Sequence, residues 1–123
     1  MDKQRILVID DEAIVRVSCD RVLGPEGYHV ELTSRGDEAL RRLDAERFDL
    51  VLTDLKMPDM DGLEVLKKIK EKWPHIPVII ITGYGTISTA VQAIKLGAYE
   101  YIEKPFNPED ILSAVKRSLE DKK

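Results

Sequence analysis

Short apolar runs alternate along this chain with longer stretches that have helical periodicity. Three apolar runs, 5–9, 50–53 and 78–81, are too short for helices, and each is followed by polar residues. Such runs are typical of strands that are buried on both faces of a parallel sheet. Residues 28–33 alternate apolar and polar side chains, which predicts an edge strand, and a short fifth strand is predicted at 99–102.

The stretches between these runs have the apolar spacing and the boundary residues of helices. Ser34, Asp61, Thr86 and Asn107 can cap the second to fifth helices, and Gly24 can end the first. The side chains predicted to lie on the apolar faces of the five helices are Ala13, Ile14, Val17, Val22 and Leu23; Ala39, Leu40 and Leu43; Leu63, Leu66, Ile69 and Trp73; Ala90, Val91 and Ile94; and Ile111, Leu112, Val115 and Leu119.

This order of elements predicts an α/β fold with a single domain over residues 1–123. Five strands that alternate with helices of this length favour a five-stranded, doubly wound parallel sheet with five helices on its two faces. All crossovers are expected to be right-handed. A chain of 123 residues is long enough to form one well-packed core.

Composition and charge exclude several classes of protein. A hydrophobic fraction of 43% and a charged fraction of 34% are those of a soluble globular protein. The net charge of −4 argues against direct nucleic-acid binding, which needs a basic surface. No signal-peptide pattern and no apolar run near the ~20 residues that span a bilayer are present, so we expect a cytoplasmic protein without a membrane span. The single cysteine, Cys19, cannot form an internal disulfide and is predicted to be a buried free thiol.

Polar side chains end or follow four of the five predicted strands. Asp10 and Asp11 follow the first, Asp54 follows the third, Thr82 ends the fourth, and Lys104 lies near the end of the fifth. Because the carboxyl ends of parallel strands share one edge of the sheet, we expect these side chains to converge where open α/β sheets bind ligands. Each of these residues alone could be a helix cap, a strand end or a surface charge. Those roles do not explain why all of them are predicted to lie at one edge of the sheet.

Three carboxylates at one edge need compensation, because two unit charges ~5 Å apart repel by roughly 3 kcal/mol at an effective dielectric of ~20. Either one carboxylate takes up a proton or a cation binds. An all-oxygen site that is open to water suits Mg²⁺, which takes one or two carboxylates together with a phosphate oxygen. With a lysine and a hydroxyl nearby, the site suits a phosphoryl group, and an ionised Asp54 can attack phosphorus without a general base.

One set of residues at and around this edge forms a specific signature. Its members are Asp10-Asp11, Asp54, Lys56-Met57-Pro58, Gly62, Thr82-Gly83, Tyr101 and Lys104-Pro105. This set resembles the receiver domain of two-component response regulators, and the resemblance covers essentially the whole chain. It implies the flavodoxin-like strand order 2-1-3-4-5. Within that family, segments 83–85 and 95–101 look most like the receivers of enhancer-binding transcription activators.

The resemblance implies how this edge would work. Asp54 would take a phosphoryl group from a cognate sensor histidine kinase, in a reaction that needs Mg²⁺. Asp11, Asp54 and the main-chain carbonyl of Lys56 would contact the metal directly, and Asp10 would act largely through water. The domain would be a signalling phosphoacceptor and not an enzyme, although it would promote its own phosphoryl transfer and a slow self-dephosphorylation.

The resemblance also implies which groups would bind the phosphoryl oxygens, namely Thr82, Lys104 and the backbone amides of Lys56 and Gly83. Tyr101 would be a switch aromatic that turns inward when the acyl phosphate draws Thr82 towards it. The surface built by the fourth helix, fifth strand and fifth helix, roughly residues 87–119, would then change shape. That surface would also be the site of a possible homodimer, and the output would be control of transcription.

Two local expectations follow from the same resemblance. The Lys104–Pro105 peptide bond is expected to be cis, although only ~5–6% of X–Pro bonds in folded proteins are cis. Lys56 and Tyr84 are expected to line the path of the water that hydrolyses the acyl phosphate. A bulky Tyr84 should shield the phosphoryl group and slow this hydrolysis.

Three other functions share parts of this pattern. A flavin-binding electron carrier has the same fold but needs a hydroxyl- and glycine-rich loop after the first strand, where this chain has Asp10, Asp11 and Glu12. A phosphatase that works through an aspartyl phosphate usually has a second aspartate two residues after the nucleophile, where this chain has Lys56. A receiver that only binds partners would not need the complete set of site residues.

Overall fold

The computed structural model describes residues 3–83 and 85–121, which form five strands and five helices in alternation. The strands are β1 (Arg5–Ile9), β2 (His29–Thr33), β3 (Leu50–Thr53), β4 (Val78–Thr82) and β5 (Glu100–Glu103). The helices are α1 (Ala13–Leu23), which continues into a 3-10 turn (Gly24–Glu26), α2 (Gly36–Ala45), α3 (Gly62–Lys72), α4 (Ile87–Lys95) and α5 (Pro108–Glu120). Among these described helices, none has the length and apolarity that crossing a membrane requires.

The five strands form one parallel sheet with the order β2-β1-β3-β4-β5, which confirms the predicted fold class. β3 lies at the centre, and β2 lies at an edge, as its alternating pattern predicted. The register places Ile9 opposite both Thr33 and Thr53, and places Thr82 opposite Glu103. The residues that follow these positions therefore leave the sheet at one edge.

The sheet separates two apolar core layers. Helices α2, α3 and α4 cover the layer that contains Leu7, Ile9 and Val51, whereas α1 and α5 cover the layer that contains Ile6 and Val8. Successive strand residues enter opposite layers because side chains alternate across a strand. Burial on both faces explains why the central strands are continuous apolar runs.

Helix α1 buries Leu23, as predicted, but otherwise turns a neighbouring stripe of side chains towards the core. Its buried residues are Val15, Cys19 and Leu23, whereas Ile14 is 75% exposed and Val17 is 43% exposed. The prediction that Ile14 and Val17 pack into the core is therefore wrong. The helix carries two apolar stripes that lie about one position apart, and spacing alone does not determine which of them faces the sheet. The predicted burial of Cys19 is confirmed, and burial raises the pKa of its thiol to about 12.

Helix α4 also presents apolar side chains to solvent. Of its nine residues, all of which are described, only Ala93 is buried, and Ile87, Val91 and Ile94 are 87%, 47% and 50% exposed. The predicted burial of Val91 and Ile94 is therefore wrong. The small side chain of Ala93 makes the contact with the core, and the larger apolar side chains lie to the outside. Ile87, Val91 and Ile94 are spaced to share one face of the helix.

The amino terminus of α2 is capped by a distant residue. The prediction that Ser34 caps this helix is wrong, since Arg35 occupies the N-cap position and makes no side-chain cap bond. The carboxylate of Asp59 instead accepts the backbone N–H of Gly36 at 3.0 Å and that of Asp37 at 2.8 Å. The helix start is therefore set by the loop after β3, which no local sequence signal could reveal.

The other predicted caps are confirmed. The side chain of Asp61 accepts the backbone N–H of Leu63 at 2.9 Å at the start of α3. Thr86 and Thr89 form a reciprocal capping box at the start of α4. Asn107 occupies the N-cap position of α5, where its backbone N–H donates to the carboxylate of Asp110 at 3.1 Å. These local bonds fix where α3, α4 and α5 begin, and so fix the lengths of the loops at the carboxyl edge of the sheet.

Candidate functional site

The candidate site lies at the carboxyl edge of the sheet. Backbone hydrogen bonds just beyond the strand ends align the residues that follow neighbouring strands. The backbone N–H of Asp54 donates to the carbonyl of Ile9 on β1 at 3.0 Å, and that of Lys104 donates to the carbonyl of Thr82 on β4 at 2.9 Å. The backbone N–H of Asp10 likewise donates to the last residue of β2 at 3.0 Å. Side chains from β1, β3 and β5 are therefore brought to one place by extension of the strand pairing.

Four carboxylates meet at this edge. Asp10, Asp11, Glu12 and Asp54 can each offer one oxygen so that all four oxygens lie within 4.8 Å of one another. Asp10 and Asp54 are buried, whereas Asp11 and Glu12 are exposed. The cluster is therefore anchored in the protein on one side and open to solvent on the other.

Lys104 reaches into this cluster from the end of β5. Its Nζ lies 3.0 Å from Oδ2 of Asp10, 2.7 Å from Oε1 of Glu12 and 3.0 Å from Oδ2 of Asp54. Burial of the ammonium group acts to lower its pKa, but the hydrogen bonds to the three carboxylates outweigh this effect and raise the pKa above its usual value. The Lys104–Pro105 peptide bond is cis, which confirms that prediction.

The two oxygens of Asp54 have different partners. Oδ1 accepts the backbone N–H of Leu55 at 2.6 Å and that of Lys56 at 3.3 Å. Oδ2 accepts a hydrogen bond from Lys104. The carboxylate is therefore oriented by its own loop through one oxygen and directed towards the cluster through the other.

Within the part of the chain that the structure describes, Lys104 brings one positive charge to a cluster of four carboxylates and so does not balance the cluster by itself. Burial raises the pKa of Asp10, although the hydrogen bond from the backbone of Glu12 and the interactions with Lys104 oppose this rise. An incoming divalent cation would relieve the remaining repulsion. The donors are all oxygens and the site is open on one side, so the residues present fit a hard cation such as Mg²⁺.

Thr82 ends β4, and Gly83 follows it. Thr82 is fully buried. Gly83 lies against the stem of Lys104, since a Cβ placed on Gly83 would be 3.7 Å from Cβ of that lysine. The structure therefore places both residues where β4 adjoins the end of β5.

Tyr101 on β5 points towards the loop that follows β4. Its ring is half-buried and packs on the core layer under α2, α3 and α4. Its hydroxyl is buried and has no hydrogen-bond partner among the described residues. A Cβ placed on Gly85 would lie 1.4 Å from Oη of Tyr101 and 3.1 Å from Cγ2 of Thr82, so this orientation of the ring requires glycine there. The predicted shielding residue Tyr84 lies outside the described residues.

Two residues that contribute to the site were assigned no role from the sequence. Glu12 was noted only as part of an acidic run, yet its carboxylate contacts Lys104, which is 92 positions away. Asp59 ties the loop after Asp54 to α2. The acidic run was a usable signal for Glu12, whereas nothing near Asp59 in the sequence indicates its partner.

Comparison with known proteins places this geometry in context. Residues 6–116 match the family described as response regulator receiver domain. The DNA-binding transcriptional regulator NtrC of Proteus hauseri is 37% identical over 119 residues, which are 97% of this chain and 25% of that protein. The chain thus spans about a quarter of the length of the curated relatives of this kind that it matches.

Solved structures of similar chains have the same fold. A CheY-like response regulator receiver domain protein from Methanospirillum hungatei JF-1 is 37% identical, with a TM-score of 0.95 over 98% of this chain and 97% of that one. The beryllofluoride-activated NtrC4 receiver domain dimer is 41% identical, with a TM-score of 0.93 over 97% of this chain and 98% of that one.

Proposed function

This chain belongs to the response regulator receiver domain family, and from that premise we propose that a phosphoryl group transferred to Asp54 switches it. The observation that carries the proposal is the position of this buried carboxylate. Its Oδ2 lies 3.0 Å from Nζ of Lys104, and Asp54 is a member of the four-carboxylate cluster. We propose further that residues 1–123 act as one receiver domain. It would be a signalling phosphoacceptor that promotes its own phosphoryl transfer and slow self-dephosphorylation, not an enzyme with a separate substrate.

We infer that Asp11, Asp54 and the main-chain carbonyl of Lys56 would hold Mg²⁺ directly, with Asp10 acting largely through water. The clustering of the carboxylate oxygens within 4.8 Å supports this assignment. When bound, Mg²⁺ would neutralise charge that builds up between the carboxylates and the phosphoryl oxygens. Lys104 alone leaves a surplus of negative charge, which would repel an incoming phosphoryl group.

In the proposed transfer, an oxygen of Asp54 forms a bond to phosphorus while the bond from phosphorus to the donor breaks. The donor atom is a nitrogen of a phosphohistidine in the cognate kinase, or an oxygen of a small acyl phosphate, and it keeps the electron pair. Lys104, the hydroxyl of Thr82 and the backbone N–H groups of Lys56 and Gly83 would donate hydrogen bonds to the phosphoryl oxygens. A carboxylate nucleophile needs no general base.

A cognate sensor histidine kinase would dock beside this site. Ile14 and Val17 are exposed apolar side chains in the first two turns of α1, which begins two residues after Asp11. Apolar side chains next to a reactive carboxylate favour contact with a partner protein. The kinase would bury them while it presents its phosphohistidine to Asp54.

The response would be carried by the surface that α4, β5 and α5 form. Phosphorylation would draw Thr82 towards the acyl phosphate and stabilise the inward Tyr101. The exposed stripe of Ile87, Val91 and Ile94 on α4 supports a homodimer through this surface. A similar chain forms an activated dimer, and relatives such as NtrC are transcriptional regulators, so we propose control of transcription as the output.

Incubation with acetyl phosphate and Mg²⁺, followed by intact-mass measurement, tests the proposal. The unaltered chain should gain the mass of one phosphoryl group, and chelation of the metal should prevent the gain. Asp54→Asn should gain nothing because an amide is not a competent nucleophile. A gain of the same size in Asp54→Asn would contradict the assignment of Asp54.

A further inference from the structure

The loop between β3 and α3 is closed at its base. The backbone N–H of Gly62 donates to the carbonyl of Leu55 at 2.7 Å, and Lys56 and Asp61 pair as an isolated antiparallel bridge. Gly62 also lies directly against Asp54, since a Cβ there would be 2.3 Å from the carbonyl oxygen of that residue. Residues 56–61 therefore form a loop whose two ends are joined by main-chain pairing.

The tip of this loop is attached to the amino terminus of α2. Both oxygens of Asp59 are used, one for the backbone N–H of Gly36 at 3.0 Å and the other for that of Asp37 at 2.8 Å. The next residue, Met60, packs against the same helix start, since a Cβ on Gly36 would lie 3.3 Å from its Cβ and Sδ. A carboxylate at a helix amino terminus is stabilised by the unpaired N–H groups and by the helix dipole.

Lys56 is the residue of the loop on which this attachment acts. Its N–H donates to Asp54 at 3.3 Å, a longer bond than the 2.6 Å bond from Leu55. Asp54 therefore orients the peptide of Lys56 less firmly than it orients the peptide before it. The pairing of Lys56 with Asp61 and the bonds of Asp59 to α2 add restraint on this side of the site.

We propose that Asp59 is a positioning residue for the phosphorylation site, because it fixes the main-chain groups of Lys56 by tying the loop to α2. This inference rests on the proposed function, in which Lys56 offers its carbonyl to the metal and its N–H to the phosphoryl group. Asp59 does not touch either ligand. Its effect is transmitted through the closed loop, and its loss leaves Asp54, Asp11 and Lys104 in place.

Three variants test this inference. Asp59→Ala removes both bonds to α2, and Asp59→Asn keeps one acceptor oxygen. The third, Asp59→Ala with Arg35→Ser, gives α2 a local cap, because Arg35 occupies the N-cap position with the extended backbone that suits serine. This double variant restores the helix cap without restoring the tie to the loop. Arg35→Ser alone is the matched control.

Calorimetry of Mg²⁺ binding, the midpoint of thermal unfolding and the rate of phosphorylation by acetyl phosphate are measured for each variant. Asp59→Ala should weaken Mg²⁺ binding by about threefold to tenfold. Removal of a group that is bonded directly to a metal ligand typically weakens metal binding by ~tenfold or more, and Asp59 acts less directly. Asp59→Asn should give a smaller loss. The double variant should regain the unfolding midpoint of the control while its Mg²⁺ binding and phosphorylation stay impaired.

Recovery of both Mg²⁺ binding and phosphorylation in the double variant would overturn the inference, because Asp59 would then act only as a helix cap. Unchanged Mg²⁺ affinity in Asp59→Ala would overturn it as well. Failure of the unaltered chain to take up phosphate would instead contradict the proposed function. The two failures are therefore distinguishable in one set of measurements.

Discussion

Helices α3 and α4 are neighbours on the same side of the sheet, yet they are held in different ways. α3 buries four of its residues, namely Gly62, Val65, Leu66 and Ile69. α4 buries only Ala93 among its nine described residues and exposes three large apolar side chains. Since few buried apolar contacts mean a low cost of local opening, we expect α4 to open locally at a lower cost than α3.

This difference matches what each helix is joined to. α3 follows the loop that carries Asp54 and Lys56, so firm packing of α3 keeps the site in place. α4 follows Thr82 through the loop that contains Gly85, which lies against Tyr101. The proposed phosphoacceptor thus lies next to α3, which has four buried residues, and the proposed response involves α4, which has one.

The largest expected difference in stability is between two isoleucine-to-alanine substitutions, one in α3 and one in α4. Ile69→Ala in α3 should lower the free energy of unfolding by about 2–5 kcal/mol, because Ile69 is fully buried and its loss leaves a cavity. Ile94→Ala in α4 should change it by no more than about 0.5 kcal/mol, because half of that side chain is already exposed. Urea titration of both variants measures the difference, and equal losses would contradict the comparison.

A second pair of substitutions tests the glycines that precede or open the two helices. Gly62→Ala should lower the free energy of unfolding by about 1–3 kcal/mol, since its Cβ would meet the backbone of Asp54 and Leu55. Gly85→Ala should cost less, because the atoms its Cβ would meet belong to side chains: the far end of Tyr101, which can rotate away, and at 3.1 Å the methyl group of Thr82. The rotation is visible as a change in the NMR signals of the Tyr101 ring. An unmoved ring in Gly85→Ala would contradict the proposed contact.

The same contrast explains what the sequence could reveal. The convergence of Asp10, Asp54 and Lys104 followed from topology alone, because every strand of a parallel sheet ends at the same edge. Which face of α4 packs on the core could not be predicted. The larger apolar side chains of this helix are exposed, and the small Ala93 is the buried residue. The partner of Asp59 also could not be predicted, since the N–H groups it binds belong to residues 22 and 23 positions away.

A third pair of variants removes the helix caps and should have effects of about 1 kcal/mol. Thr86→Ala removes the capping box of α4, and Asp61→Ala removes the cap of α3. If α4 opens separately, Thr86→Ala should speed the hydrogen exchange of α4 amides about fivefold while global unfolding changes little. Asp61→Ala should instead lower global stability, because α3 opens only with the core. Uniform acceleration of exchange in Thr86→Ala would contradict separate opening of α4.

The smallest expected effect on stability, within about 0.5 kcal/mol, belongs to Ile87→Ala, because Ile87 is 87% exposed. If the α4 stripe is the proposed dimer surface, this variant should nevertheless weaken self-association in the presence of Mg²⁺ and beryllofluoride by about fivefold, or ~1 kcal/mol. Sedimentation velocity measures the change. Ile14→Ala is the matched control, since it removes an equally large exposed side chain from α1, on the other side of the sheet, and should leave self-association unaltered. Equal weakening by both variants would mean that the association is not specific to α4, and no weakening by Ile87→Ala would place the dimer surface elsewhere.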